Sequence, residues 1–541
     1  MLRMMTVEET LYFAARTRLD KNKTRHQVQQ IVDNVIKVLR LEDVRHSVIG
    51  DEESRGISGG QRKRVNVAIE LVADPYVLFL DEPTSGLDSA SSKEVCAALQ
   101  LIAQSGITVI TVIHQPRKEI FDMFSHLLLL GQGGRTVYLG PVEESVAYFE
   151  NLGYKCPDRV NPADFLIDVT AGNISSSQGI SSSQLPDVWR RQESQLQQAQ
   201  YDQQQQVFTT PKQSYIAQFW MCLQRAFIQQ LRNILGLFID NFLLFFSAFS
   251  LGVMYVGKVY EGPAPEAISN LCPEELRKIC TAPQSDPIAG QQSMINLAIA
   301  LVASMASLKT FGKEKVVFLR ESETGLSTFC YFWAKDLAML PSIMLAPAVF
   351  LSIYYTTISP RAMFVEYYWI LLLCYWTSYG LGYIVSILVK PHIAQLAAVV
   401  VVFLINIFSG TVVSLPDFDK MIPPLKYFYW GSYLQYSYQG LYVTEIQYFK
   451  NIYVIQTSLD YMGFKIERLP MIAGALCAFG IGFRVIAFFL LYGSKPNSYA
   501  YRFGNWVTNF KQHATRVKSL FGGKKMDSMN KVMVAKKIEV V

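Results

Sequence analysis

Two clusters within the first ninety positions carry residue types that can handle phosphate. Ser58-Gly59-Gly60-Gln61 precedes Arg62-Lys63-Arg64 and a helical run from Val65 to Val72. A Ser-Gly-Gly turn entering a helix leaves backbone N–H groups free, and the helix dipole adds partial positive charge there, so the turn can hold a phosphate. Further on, the apolar run Val77-Leu78-Phe79-Leu80 ends in Asp81-Glu82-Pro83-Thr84-Ser85-Gly86-Leu87-Asp88. Two carboxylates at a strand end suit Mg²⁺ held through water by Asp81 and an attacking water polarised by Glu82. His114 closes a second apolar run, Val109–Ile113, and is followed by Gln115-Pro116. A lone Gly-Gly is ordinarily a turn, a carboxylate pair can be structural, and a lone histidine is more often a core residue. The order and spacing of all three together weigh against those readings.

The elements that must position these groups read as an α/β domain. Val28–Leu41 is apolar at helical spacing. Tyr76–Leu80 and Thr108–Ile113 are continuous apolar runs, as expected of buried parallel strands. Phe124–Leu130 and Thr136–Leu139 read as further strands. Residues 1–170 therefore form one domain. Residues 171–211 read as a linker, with the Ser175–Ser183 and Gln192–Gln206 runs low in complexity. Residues 212–233 read as an amphipathic helix, with Tyr215, Ile216, Phe219, Trp220, Leu223, Phe227 and Leu231 on one face. It suits the membrane surface, or packing on the first domain, or both.

Beyond it the composition changes. Half of the 541 residues are hydrophobic and only 17% are charged, and mean hydropathy is positive at +0.19. Both point to a membrane protein. Six segments reach spanning length: about Ile234–Val256, Ser293–Phe311, Leu337–Ile358, Tyr367–Val389, Ile393–Val413 and Leu469–Tyr492. Together they make a transmembrane domain over 234–492. Gly431–Phe449 reads as a partly inserted segment on the outer side. Lys309, Lys313, Lys315, Arg320 and Lys335 fall between the second and third spans, and Lys390 between the fourth and fifth. A basic tail follows the sixth, over 493–541. By the positive-inside rule all three lie in the cytosol with the first domain. The tail is suited to anionic headgroups rather than to nucleic acid, since no stacking aromatics repeat among its lysines. No cleavable signal peptide is visible. Cys272 and Cys280 share a Pro-rich polar loop placed outside the cytosol; a disulfide and two free thiols are both open there.

The phosphate-handling runs resemble the signature motif, Walker B and D-loop of an ABC transporter ATPase. An ATPase ahead of the membrane domain resembles the G subfamily, the white/brown-complex half-size transporters. Asn161-Pro162-Ala163-Asp164-Phe165 with Asp168, Arg232-Asn233, Phe318-Leu319-Arg320-Glu321 with Gly325, and Ile407-Phe408-Ser409-Gly410 carry the same resemblance, and some phrases look like plant-type members. The implied architecture is an α/β nucleotide-binding domain, a truncated P-loop NTPase of ABC type, followed by an all-α six-helix transmembrane domain.

The resemblance also assigns roles. Ser58, Gly59, Gly60 and Gln61 would contact the γ-phosphate of ATP held by an opposing subunit. Asp81 would organise Mg²⁺, Glu82 would be the general base, His114 the switch histidine, and Asp88 the D-loop link between two sites. Glu314, Arg320 and Glu321 would couple the membrane domain to the ATPase, against the plain alternative of a solvated loop. Asn296, Phe403, Asn406 and Thr411 would line a substrate cavity at a dimer axis, with helix–helix hydrogen bonding the favoured role for any single one. Asp240 and Arg484 are ionisable within spans, and Arg484 is expected to snorkel.

The implied activity is ATP-driven export of a lipid-like or amphipathic small molecule across a bilayer, plausibly the plasma membrane, by a homo- or heterodimer of half-transporters. Sterols, waxes, terpenoids and xenobiotics suit it equally. No G-x-x-x-x-G-K-[ST] loop occurs in these residues, and Met1–Leu11 resembles the segment just after the family's Q-loop. Two readings stay open: an incomplete gene model, or a degenerate regulatory subunit lending its signature to a complete partner.

Overall fold

The computed structural model describes residues 1–50, 56–157, 160–196, 213–262, 286–411, 413–416 and 423–495. Cys272, Cys280 and the basic tail beyond Lys495 lie outside them. The chain divides into two compact units, Met1–Ala217 and Gln218 onward.

The first unit opens with α1 (Val7–Arg18) and α2 (Arg25–Val38), each begun by a reciprocal capping box, Thr6 with Glu9 and Thr24 with Gln27. α3 (Gly59–Leu71), β1 (Val77–Asp81), α4 (Ser89–Gln104) and β2 (Thr108–Val112) follow, then the short α5 (Lys118–Phe121), β3 (His126–Leu130), β4 (Thr136–Pro141), α6 (Val142–Asn151), α7 (Pro162–Ala171) and α8 (Leu185–Leu196). β1 and β2 pair in parallel, Val77 opposite Thr108 through Asp81 opposite Val112. β3 and β4 form a separate antiparallel pair. Val7, Leu11, Val28, Val32, Val65, Ala68, Leu99 and Ile102 bring α1–α4 together behind Leu78.

Two expectations change here. The parallel strands are covered on one face only: Tyr76 and Phe79 are 76% and 74% exposed, and Ile110 and Val112 also face outward. A continuous apolar run predicts two covered faces, and the described residues supply one. The linker expected over 171–211 is folded in its first half. Ser176 Oγ donates to the Leu152 carbonyl at 2.6 Å and Gln178 Nε2 to that of Asn151 at 3.0 Å. Trp189 on α8 is buried against Tyr138 and Tyr148, with ring centroids 5.4 and 5.6 Å away. With Leu185 also buried, two apolar anchors fold a polar helix onto the core, and low complexity hides them.

The second unit is helical: α9 (Tyr215–Arg232, begun just before the boundary), α10 (Ile234–Tyr255), α11 (Pro287–Phe311), α12 (Lys315–Glu323), α13 (Thr328–Ile358), α14 (Phe364–Leu388), α15 (Pro391–Ile407), α16 (Pro423–Trp430), α17 (Tyr433–Ile446), α18 (Ile455–Met462) and α19 (Leu469–Gly493). Among the described residues five helical stretches are long and apolar enough to span: Ile234–Tyr255, Pro287–Glu323, Thr328–Ile358, Phe364–Leu388 and Ile466–Gly493. The expected fifth of six spans is shorter than predicted. α15 stops at Ile407 after 17 residues, ahead of Gly410 at φ +87°. At 1.5 Å per residue it covers about 25 Å, short of a ~30 Å hydrocarbon layer. The segment expected to be partly inserted holds α17, all fourteen residues of which are buried.

Small residues permit close crossings. A Cβ on Gly382 of α14 would overlap the Ser307 hydroxyl of α11, and one on Gly252 of α10 would overlap Thr357 of α13. Tyrosines fill much of the remaining interior: Tyr331, Tyr354, Tyr367, Tyr383, Tyr433 and Tyr442 are fully buried.

Candidate functional site

Ser58 begins α3. Its hydroxyl accepts from the Gln61 amide at 3.3 Å, and the Gln61 side chain accepts from the Ser58 amide at 2.9 Å. This capping box fixes the turn and leaves exposed Ser58 and Gly59 at the positive end of the helix. Glycine at 60 is a packing need: a Cβ there would stand 3.1 Å from Ser91 Cβ in the first turn of α4. That turn is capped by Asp88, which accepts from the Ser91 amide at 3.3 Å. Hydrogen bonds from the Ser91 hydroxyl and amide hold the Asp88 carboxyl below its usual range. The starts of α3 and α4, with Ser58, Gly60 and Asp88, are thus one junction.

The carboxylates are placed by the parallel register. Asp81 lies opposite Val112, and the Glu82 amide continues the ladder by donating to the Val112 carbonyl at 2.9 Å. His114, two residues past Val112, therefore lies at the same sheet end as Asp81 and Glu82. Glu82 and Gln115 both adopt left-handed backbone, each at φ +45°. Such strain in non-glycine residues clusters at functional sites. The Asp81, Glu82 and His114 side chains are exposed and have no protein partner among the described residues. Mg²⁺ is commonly held by one or two carboxylates with waters and substrate phosphates, so an unpaired Asp81 fits that ion. No larger set of metal-ligating side chains gathers among the described residues.

One positioning residue escaped the motif reading. Asn161, which caps α7, donates from Nδ2 to the Pro116 carbonyl at 2.7 Å. It ties the Asn161–Phe165 run to the loop that carries His114. The signal was the Asn-Pro pair at a helix start, but nothing in it gave the partner.

The residues expected to couple the two domains turn out to be engaged inside the second unit. Glu321 takes both terminal nitrogens of buried Arg225, at 2.7 and 2.9 Å. Glu314 accepts from Lys335 at 2.5 Å and from Gln229 at 3.1 Å. Arg320 alone of the three is exposed. Glu314 and Glu321 are the ties that hold α12 to α9 and α13. Arg225 and Lys335 are buried in making those ties, and only the tertiary structure shows it.

The expected cavity residues separate. Asn296 is fully buried, its amide donating to the Leu434 carbonyl at 2.9 Å and its oxygen 3.5 Å from Cys374 Sγ. It is a helix–helix tie, not a lining residue in this subunit. Phe403 is exposed and Asn406 and Thr411 half-exposed on and just past α15. Thr411 Oγ1 lies 3.0 Å from Ser409 Oγ, and the Asn406 carbonyl accepts from Ser409 at 2.6 Å. The snorkelling expected of Arg484 is also overturned: it is 1% exposed and paired with Asp336 at 3.0 Å. Asp240 pairs with Lys309 at 2.7 Å.

Comparison with known proteins bears on this arrangement. A family model described as ABC transporter matches residues 1–85, and one described as ABC-2 type transporter matches residues 114–213 and 284–496. ABC transporter G family member 28 of Arabidopsis thaliana is 31% identical over 538 aligned residues, covering 90% of this chain and 46% of that protein. The chain belongs to the G family of ABC transporters. ABC transporter G family member 25 of Oryza sativa subsp. japonica is 30% identical, covering 89% of the chain and 49% of its own length. The broad substrate specificity ATP-binding cassette transporter ABCG2 of Sus scrofa is 44% identical over 172 residues, 32% of this chain and 26% of its own. The chain spans about half the length of the two plant relatives. It joins the ABC nucleotide-binding fold to a helical membrane domain of ABC-2 type, and it is an integral membrane protein.

Proposed function

We propose that this G-family chain is one half of an ATP-driven exporter of a lipid-like or amphipathic small molecule, working as a dimer with a second half-transporter. The observation that carries the reading is the junction of α3 and α4. Ser58, Gly59 and Gly60 stand at a capped, positive helix end beside Asp88, a surface suited to the γ-phosphate of ATP held across a dimer. Mg²⁺ and ATP supply the phosphoryl chemistry. Asp81 would hold the ion through water, Glu82 would take the proton of the attacking water, and His114 would sense the γ-phosphate. α15 supports the dimer. Ile393, Leu396, Val400, Phe403 and Ile407 are exposed at alternating spacings of three and four, a seam that fits a facing helix. Asn406 and Thr411 sit at its end and would meet substrate there, with the plasma membrane as the expected location and the first unit in the cytosol.

The test is reconstitution in proteoliposomes with a complete G-family half-transporter, reading ATP turnover and ATP-dependent efflux of a fluorescent phospholipid or sterol. Ser58→Arg in this chain is expected to abolish both. Turnover unchanged by Ser58→Arg would refute the reading.

A further inference from the structure

Two successive residues of α13, Lys335 and Asp336, are both ionisable and both buried. Neighbours on a helix point about 100° apart, so they reach different partners. Lys335 Nζ donates to the Thr310 carbonyl at 2.6 Å, at the end of α11, and to Glu314 Oε2 at 2.5 Å. Its ammonium also stands 5.7 Å from the Phe311 ring centre and 5.4 Å from that of Tyr331. Through Glu314 this arm continues to Gln229 of α9. Asp336 points instead at the last span and accepts from Arg484 Nε at 3.0 and 3.1 Å.

The slot that receives Arg484 is shaped by α14 and by its own helix, α19. Nη1 donates to the Trp376 carbonyl at 3.0 Å and to the Gly480 carbonyl at 3.2 Å, and the guanidinium carbon lies 4.0 Å from the Trp376 ring centre. A Cβ on Gly480 would overlap the Trp376 ring, and one on Gly380 would stand 2.9 Å from Arg484 Nη1. Glycine on both helices is what lets the guanidinium and indole stack inside the bundle. A charge buried this deeply persists only if paired, and breaking one arm leaves its partner uncompensated.

We propose that Lys335 and Asp336 are a two-armed positioning pair that locks the α11–α12 turn, and through it α12, in register with α14 and α19. The lock makes the end of the bundle that carries Arg225 one mechanical body, so that a displacement of α12 moves the last span with it. Its consequence for transport rests on the reading of α12 as the coupling element; the lock itself does not, and its test uses no ATP.

The test is amide hydrogen exchange of the full chain in lipid nanodiscs, followed at Val316–Glu323 of α12 and at Val485–Leu491 of α19. Lys335→Met cuts one arm and Asp336→Asn the other. Each is expected to raise exchange at least tenfold in both segments, including the one its own arm does not touch. Loosening confined to the segment each arm touches would overturn the proposal. Lys335→Arg, which keeps the donor charge, is expected to restore protection in α19, and failure to do so counts against the lock. Should a single variant not fold, Asp336→Leu with Arg484→Met removes both charges together. The proposal then requires α12 to stay loosened although no charge is left unpaired, and wild-type protection of α12 would overturn it.

Discussion

The two units of the chain differ in what they can place inside. In the first, alternate positions of β1 and β2 face outward, and Leu128, Leu130 and Leu139 do the same on β3 and β4. In the second, tyrosines are drawn fully inside and so are ionised residues, Arg225 against Glu321 and Arg484 against Asp336. The difference follows from the architecture of each. A helical bundle supplies several neighbours to every interior position, so it can satisfy a buried Arg225 or Arg484. A two-stranded sheet has helices on one side only and can hide only alternate residues. The exposed end of that sheet is also where Asp81, Glu82 and His114 stand, open to solvent as the proposed nucleotide role requires.

The sharpest way to break this contrast is a matched pair of truncations. Phe332→Ala removes a fully buried ring packed on Phe311 at 5.0 Å and is expected to cost about 4 kcal/mol. Phe79→Ala removes an exposed ring and should change stability by less than about 0.5 kcal/mol. Chemical denaturation in detergent compares them. Equal costs would mean that the outer face of β1 is covered in the working molecule. Trp189→Ala tests the folded part of the expected linker. It should destabilise the first unit alone by about 3 kcal/mol, seen as exchange rising in β4 and α6 and not in α13 or α14.

A third variant separates chemistry from stability at the open end. Gly59 has room for a side chain, its nearest contact being Leu87 Cδ2 at 3.6 Å. Gly59→Asp puts a negative charge where the γ-phosphate would sit. Turnover of the reconstituted pair should fall at least about 100-fold, roughly 2.7 kcal/mol. An acidic residue in the first turn of a helix is otherwise favourable, so the melting temperature should hold or rise. A parallel loss of stability would mean that Gly59 serves the fold and not the phosphate.

What could be read from the sequence divides along the same line. The local structure around the residues proposed to handle phosphate was legible because it depends on local order: a cap, a helix start, a strand end. The structure puts Ser58, Asp88 and Glu82 where those local rules say. Five spans were legible from length and apolarity alone. The partners of the charges were not. Nothing in the order of residues says that Glu321 meets Arg225, ninety-six positions away, or that Arg484 meets Asp336 instead of reaching for the headgroups. Asn296 makes the same point: a polar residue in a span must face something, and only tertiary packing chooses between a cavity and the Leu434 carbonyl. α15 fell short because an apolar run continues through Phe408 while the helix does not.

The smallest effect concerns how the first unit holds itself together at its surface. Glu8, in the first turn of α1, accepts from Arg45 and, at 2.7 Å, from Gln29, with His46 Nδ1 3.3 Å away. The Arg45 hydrogen bond, helped by Gln29, holds its carboxyl below the usual glutamate range despite partial burial. A carboxyl depressed in the folded state binds its proton less readily there than in the unfolded chain. It therefore adds stability at neutral pH, present above about pH 4.3 and lost as the pH falls through the folded value. Glu8→Gln should remove about 0.5–1 kcal/mol at pH 7 and nothing near pH 3, so its exchange profile in α1 should lose the acid limb that the unmodified chain shows. The second unit, whose α9–α12 tie runs through buried Arg225, should show no change with Glu8→Gln at any pH. A shift in α12 with that variant would mean that the Glu8–Arg45 pair acts beyond the first unit.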